Sequence, residues 1–129
     1  MNEALLKVID QRQLVSVMNK TKWKELCSSF SDKCKISPVV RYKLIYEDNI
    51  LGFSKVWWNE LFDDSAAIEW LDFDPIEHEF RGHLLSDKDT DIRSEILDVF
   101  RKFNISYSIE GKYYRVWGYI NSKDNPKFV

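Results

Sequence analysis

The sequence predicts an α+β domain in which a mostly antiparallel sheet of four to five strands packs with two or three helices. Three observations predict this class. Apolar residues recur at helical spacing near the N-terminus and again over residues 89–103, and several other segments alternate apolar and polar residues as strands do. Because 129 residues are enough for one buried core, we expect a single domain over residues 1–129.

Two helices are expected within residues 1–35. The first has apolar residues at helical spacing, including Leu5 and Ile9. The second lies in NKTKWKELCSSF and begins after a capping side chain, either Asn19 or Thr21. Its apolar side chains fall on one side: Trp23, Leu26, Cys27 and Phe30.

The strands are expected within residues 38–120, together with one more helix. Alternating polarity predicts strands in VVRYKLIYED, ILGFSKVWW and AAIEWLDFD. The segment ISYSIEGKYYRVWGYI alternates on both sides of a short turn, Glu110-Gly111-Lys112, which indicates a hairpin.

The third helix is expected over residues 89–103, capped by Asp89 or Thr90 and ending at Asn104. Its apolar stripe would face the sheet: Ile92, Ile96, Val99, Phe100 and Phe103. Residues 121–129 are expected to form a frayed tail.

Composition excludes several classes of protein. With 44% apolar and 15% aromatic residues, the chain has enough apolar side chains to form a core, so a disordered protein is not expected. We see neither a signal peptide nor an apolar run near the ~18 residues that a membrane span needs, so no membrane association is expected. Cys27 and Cys34 fit neither a zinc pattern nor a disulfide framework, and we interpret them as reduced thiols of a cytoplasmic protein.

Charge is distributed unevenly, although the net charge is only −2. Residues 1–58 carry ten Lys or Arg and six Asp or Glu, and residues 99–129 carry six and two. Residues 59–98 carry thirteen acids and three basic residues, a balance of −10. Such a block indicates an acidic surface that attracts a basic partner.

The segment EHEFRGH is close to the zinc-protease signature but does not match it. That signature places two histidines four residues apart on one helical face. His78 and His83 are five apart, which turns a helix by ~140° and separates the two rings. We therefore expect exposed, solvated histidines and no zinc.

Other motifs for chemistry are also incomplete. LDFDP has the Asp-x-Asp of some phosphatases without their other motifs, and we interpret Asp72 and Asp74 as a strand end. Asp87, Asp89 and Asp91 fit the start of a calcium loop, but its sixth position is Ile where the turn needs Gly.

There is no Gly-rich phosphate loop and no nucleophile elbow, so no cofactor is expected. The lysines near Trp23 indicate a solvated helix face rather than a nucleic-acid site, given a pI of about 5.7.

Five segments, NKTKWKEL, RYKLIYED, IEWLDFDP, FRGHLL and FNISYSIEGKYYRVWGY, together resemble a family of small bacterial proteins of unknown function. The resemblance spans about residues 19–120, and its motifs carry no known chemistry. Small bacterial proteins of this type are often immunity partners of secreted toxins, including those of contact-dependent growth inhibition. The resemblance therefore implies a binding protein rather than an enzyme.

The charge block is compatible with that implication, because many toxins are nucleases with basic active sites. The hypothesis is a cytoplasmic protein that neutralises a cognate toxin by covering its active site. Two aromatic anchors and seven acids are the expected contacts: Trp57, Trp58, Glu60, Asp63, Asp64, Asp72, Asp74, Glu77 and Glu79.

The alternative is a small metal-dependent hydrolase that uses Asp72, Asp74, His78 and His83. A metal enzyme of that kind should gain thermal stability with micromolar zinc, manganese or magnesium, whereas a binding protein should not. The oligomeric state stays open at this point.

Overall fold

Four α-helices and eight β-strands form the regular structure of residues 2–31, 36–79, 82–86 and 88–129, the part of the chain that the computed structural model describes. The helices are Glu3–Arg12 (α1), Lys20–Ser29 (α2), Trp58–Asp63 (α3) and Arg93–Lys102 (α4), with a short 3-10 helix at Ser65–Ala67. The strands are Val15–Ser16 (β1), Val40–Leu44 (β2), Ile68–Phe73 (β3), Ile76–Glu79 (β4), Lys88–Asp91 (β5), Tyr107–Glu110 (β6), Tyr113–Trp117 (β7) and Tyr119–Ile120 (β8). The fold is α+β, as predicted.

The central sheet has four antiparallel strands in the order β2-β3-β7-β6. Two further antiparallel pairs accompany it: β1 with β8, and β4 with β5 in a separate hairpin arm. All six residues of β3 are buried, because β3 is paired on both sides and covered on both faces. No helix in the described ranges is both long and apolar enough to cross a membrane.

Local sequence explains where several elements begin and end. The side chain of Asn19 accepts a hydrogen bond from the backbone N–H of Lys22 at 2.8 Å and so caps α2, as predicted. Asn104 has a φ of 55°, the left-handed conformation that commonly ends a helix, directly after α4. The predicted hairpin is formed by β6 and β7.

The core lies between one face of the sheet and helices α2, α3 and α4. Phe73 of β3 is fully buried, and its ring packs against Phe30, Trp58 and Phe100 with centroids 5.3 to 6.0 Å apart. Helix α1 packs outside this core, on a smaller cluster built from Leu14, Ile45 and Tyr119.

Three predictions about elements were wrong. ILGFSKVWW is not a strand: only Ser54 forms a bridge, to Val40, and α3 begins at Trp58. The third helix begins at Arg93 rather than 89, because residues 88–91 pair with β4 as strand β5. The helix count is four rather than two or three in the described residues, since α3 was not expected.

The C-terminal tail is also more ordered than predicted. Phe128 forms a bridge with Ser108, and the backbone N–H of Val129 donates to the carbonyl of Tyr107 at 2.9 Å. The end of the chain therefore covers the outer edge of β6, which shields an otherwise open sheet edge.

Candidate partner-binding surface

Four of the nine predicted contact residues are exposed on α3 or directly beside it. Trp57 precedes the helix as its N-cap residue, Glu60 and Asp63 lie three residues apart within it, and Asp64 follows as its C-cap residue. All four are exposed, and Trp57 keeps 80% of its surface accessible. We call these four residues the α3 face.

The opposite side of α3 fixes this face to the core. Trp58 and Leu61 are buried, and the Trp58 ring lies 5.3 Å from that of Phe30 and stacks on Phe73 at 6.0 Å. The indole N–H of Trp58 has no hydrogen-bond partner among the described residues. Trp58 is thus placed as the support of the α3 face rather than as part of its outer surface.

Asp72 lies on the sheet face opposite the main core, where it is fully buried and paired with two arginines. Arg115 donates to both carboxylate oxygens, at 2.7 and 3.0 Å, and Arg41 donates to one at 3.0 Å. The Arg115 guanidinium also lies 3.8 Å from the ring centroid of Trp70. Asp72 therefore anchors the neighbouring strands β2 and β7 to β3, and its carboxylate is not on the surface.

Glu69 is a second buried acid of β3 with two cationic partners. One oxygen accepts from Arg12 at 2.6 Å and from Lys43 at 2.9 Å. Burial raises the pKa of Glu69, but the hydrogen bonds from Arg12 and Lys43 outweigh burial and hold the pKa below its ordinary value. Arg12 also donates to the carbonyl of Ile45, so this ion pair ties α1 to the sheet.

The remaining predicted acids lie at and beyond the end of β3. Asp74 is buried and accepts a hydrogen bond from the backbone N–H of Ile76 at 2.9 Å. Glu77 and Glu79 lie on β4, in the hairpin arm, with Glu77 half-buried and Glu79 exposed. Asp87 lies outside the described residues.

His78 is exposed, as predicted, but it is paired with acids. Its Nδ1 lies 2.8 Å from Oδ1 of Asp89, across the β4–β5 pair, and its Nε2 lies 3.6 Å from Oδ2 of Asp74. The hydrogen bond with Asp89 raises the pKa of His78 above its ordinary value of 6.5. This contact links the two strands of the arm.

The four residues of the hydrolase alternative do not act as one unit here. Asp74 and His78 are neighbours, whereas the Asp72 carboxylate is occupied by Arg41 and Arg115. Among the described residues, no group of three or more His, Cys, Asp or Glu is arranged to hold a metal ion. The structure therefore gives this alternative no specific support.

Cys27 is a buried residue of the core. Burial raises the pKa of its thiol to about 12, so the thiolate that a nucleophile requires does not form near neutral pH. Cys34 lies outside the described residues.

The basic partners of Asp72 and Glu69 were missed by the sequence reasoning. Arg41 faces Asp72 across the β2–β3 pair, and Arg115 faces it across β3–β7. These ion pairs could have been predicted from opposite charges at facing positions of paired strands. Such positions are known only when the strand order and the register are known.

Comparisons with known proteins place the chain in a family without giving it a function. No curated protein and no solved structure matches it. A family model described as a family of unknown function, DUF6678, matches residues 5–123, which extends the resemblance from about residue 19 to include most of α1. The chain belongs to this family.

Proposed function

We propose that this protein binds a cognate bacterial toxin and neutralises it by covering the active site, with a nuclease as the expected class of toxin. The observation that carries the proposal is the α3 face: a largely exposed tryptophan directly before α3, and three exposed carboxylates on this helix and at its end, while Trp58 and Leu61 of the same helix are buried in the core. The surface needs no movement to present these side chains.

Trp57 has the properties of an interface anchor. Tryptophan is enriched among the residues that dominate binding free energy, because it buries a large area with little loss of conformational entropy. A side chain that is 80% exposed contributes little to folding, whereas a partner that covered it would remove most of that apolar surface from water. A partner that docks on α3 would bury the exposed surface of Trp57.

The three carboxylates define the charge of the expected partner. Glu60, Asp63 and Asp64 have no counter-charge in any ion pair among the described residues. Unpaired surface charges increase the rate of association with a surface of opposite sign and disfavour partners of like sign. A nuclease that binds the phosphates of nucleic acid has such a basic surface.

Neutralisation by occlusion also agrees with the chemistry of the described residues. The most deeply buried acids, Asp72 and Glu69, are committed to ion pairs that hold the sheet and α1 together. The binding surface then acts by shape and charge, and the inhibited reaction belongs wholly to the partner.

The test is protection of growing bacteria. The product of the gene directly upstream, the position at which the proposal expects the cognate toxin, is expressed from an inducible promoter with or without this protein, and growth is followed. We expect the wild-type protein to restore growth and the triple variant Glu60→Gln, Asp63→Asn, Asp64→Asn to protect much less, because steering and complementarity are lost.

A matched pair of substitutions on the arm, Glu77→Gln with Glu79→Gln, serves as the control and should protect as the wild type does. Absence of protection by the wild-type protein would contradict the function. Full protection by the triple variant would leave the function but refute the α3 face as its site.

A further inference from the structure

A cleft of about 650 Å³ lies beside the α3 face, between the end of α2 and the segment that leads into α3. Trp57 and Glu60 belong both to its lining and to the α3 face, so the two surfaces are continuous. The volume of the cleft falls within the range of roughly 300–1,000 Å³ that ligand sites occupy. A partner that docks on α3 would therefore also contact this cleft.

The lining of the cleft is largely apolar. Five apolar side chains contribute to it: Phe30, Ile36, Val56, Trp57 and Trp58. Ile36 and Val56 pack against the core but remain only partly buried. An apolar side chain that entered the cleft would remove this surface from water, which favours binding.

The indole N–H of Trp58 gives an independent indication of a ligand. Trp58 lines the cleft and is only 5% exposed, and its Nε1 is the one buried side-chain nitrogen or oxygen that lacks a hydrogen-bond partner among the described residues. The ring packs against Phe30 and Phe73, so the indole cannot turn its N–H to bulk water without breaking these contacts. A ligand oxygen that accepted from this N–H would recover the hydrogen-bonding free energy that burial without a partner loses.

The charges at the cleft favour a neutral ligand. Lys55 and Glu60 line the cleft with opposite signs, and neither takes part in an ion pair among the described residues. A ligand with a net charge of either sign is attracted by one of them and repelled by the other. A peptide carbonyl accepts a hydrogen bond without carrying a net charge, and Ser37 and Asn59 add hydroxyl and amide groups that can bind further peptide groups.

We infer that the cleft binds a short neutral peptide segment with an apolar side chain. The side chain packs against Val56 and Trp57, and a backbone carbonyl oxygen of the segment accepts a hydrogen bond from the indole N–H of Trp58. The source of the segment rests on the proposed function: a loop of the toxin that docks on the α3 face inserts into the neighbouring cleft. An apolar anchor in a pocket then accompanies the charged contacts of the α3 face.

The probes are N-acetyl-leucine amide and N-acetyl-phenylalanine amide, each titrated into the full-length protein while the five indole N–H resonances are recorded by NMR. N-acetyl-glycine amide is the matched probe, because it has the same peptide groups and no side chain. We expect at least one apolar probe to bind with a Kd below about 5 mM and to move the Trp58 indole proton downfield, as a new hydrogen bond does. N-acetyl-glycine amide should bind at least about tenfold more weakly, since it buries no apolar side chain.

Trp58→Phe tests the hydrogen bond, because the variant keeps an aromatic ring and removes the N–H. It should weaken binding of the apolar probe by about fivefold, followed at the backbone amide of Trp57, which is the loss expected for one neutral hydrogen bond. Trp23→Phe makes the same change in a buried tryptophan outside the cleft lining, and this control should bind as the wild type does. The indole shift of the wild-type protein decides the question even if Trp58→Phe fails to fold.

The inference is overturned if neither apolar probe shifts the Trp58 indole resonance at about 50 mM, a concentration about tenfold above the expected Kd. An equal shift with N-acetyl-glycine amide, or an equal loss of binding in Trp58→Phe and Trp23→Phe, overturns it as well.

Failure of this inference is distinguishable from failure of the proposed function. A toxin that is neutralised but leaves the Trp58 indole resonance unchanged in the complex refutes the inserted loop and leaves the function. Binding of the apolar probes by a protein that gives no growth protection refutes the toxin as the source of the segment and leaves the peptide site.

Discussion

At the scale of single residues, the acids of this chain divide into two groups with different roles. Asp72 and Glu69 are buried and paired with cations, so they contribute to the folded structure. Glu60, Asp63 and Asp64 are exposed, so they are available to a partner. Position along the chain does not separate the two groups, because both lie within residues 59–98.

Replacing Asp72 by Asn should destabilise the protein by about 3 kcal/mol. The substitution removes the charge that compensates Arg41 and Arg115, and breaking a buried pair on one side typically costs about 3 to 5 kcal/mol. Arg41 and Arg115 remain partly exposed to solvent, so we expect a loss of stability at the lower end of this range. Urea unfolding measures the change.

The control for this experiment is Asp98→Asn, which breaks the exposed Asp98–Arg101 pair. Exposed pairs contribute little, so the change should stay within about 0.5 kcal/mol. If the two variants lose the same stability, the buried network does not hold the sheet together.

His78 should titrate above its ordinary pKa of 6.5, because the hydrogen bond with Asp89 favours the charged ring. A raised pKa in the folded state stabilises the protein fully below pH 6.5, and this contribution is lost as the pH rises through the raised pKa. His78→Gln should therefore lower the melting temperature at pH 5.5 and leave it nearly unchanged at pH 8.5. NMR of the ring protons measures the pKa directly.

The matched variant is Asp89→Asn, which removes the charge and the carboxylate acceptor while keeping a side chain of similar size. It should move the His78 pKa back towards 6.5. An unchanged pKa in that variant would show that Asp89 is not the cause.

At the scale of elements, Gly118 shows how closely the β7–β8 corner approaches its neighbours. A Cβ atom at this position would come within 2.1 Å of the backbone oxygen of Ile68 and 3.3 Å of the Trp23 ring. The glycine N–H also donates to the Glu69 carbonyl at 2.8 Å, which holds the corner in place. The backbone of β3 cannot move away without breaking its pairing with β2 and β7.

Gly118→Ala should therefore lower the free energy of unfolding by at least about 3 kcal/mol, the upper end of the usual cost of overpacking. Gly52→Ala is the matched control, because nothing lies within 4 Å of a Cβ there, and it should have little effect. Comparable unfolding midpoints for the two variants in urea would contradict this packing.

Elements whose capping residue, turn and polarity pattern all lie within the element were predictable from the sequence. Helix α2 has its cap and its apolar side, and the β6–β7 hairpin has its alternation and turn. The errors occurred where tertiary pairing decided the outcome. β5 replaces a helical start because it pairs with β4, and Phe128 is ordered because it lies against β6.

At the scale of the whole molecule, the predicted contact residues are only partly brought together. Trp57, Glu60, Asp63 and Asp64 lie close together in the chain, on or directly beside α3, and all four are exposed. Asp72 could not be placed from the sequence, since its burial depends on arginines from two other strands. The number of acids in a sequence block is therefore only the maximum number that can lie on an acidic surface, because some of them are buried in ion pairs.

If the α3 face binds a toxin as proposed, the affinity of the purified complex must depend on Trp57. The Kd for the toxin domain is measured by calorimetry with the wild type, Trp57→Ala and the control Leu51→Ala, which removes another exposed side chain. We predict that Trp57→Ala weakens binding by about 30-fold or more, equivalent to about 2 kcal/mol, and that Leu51→Ala leaves it unchanged. Equal affinities for the wild type and Trp57→Ala would show that the α3 face is not the binding site.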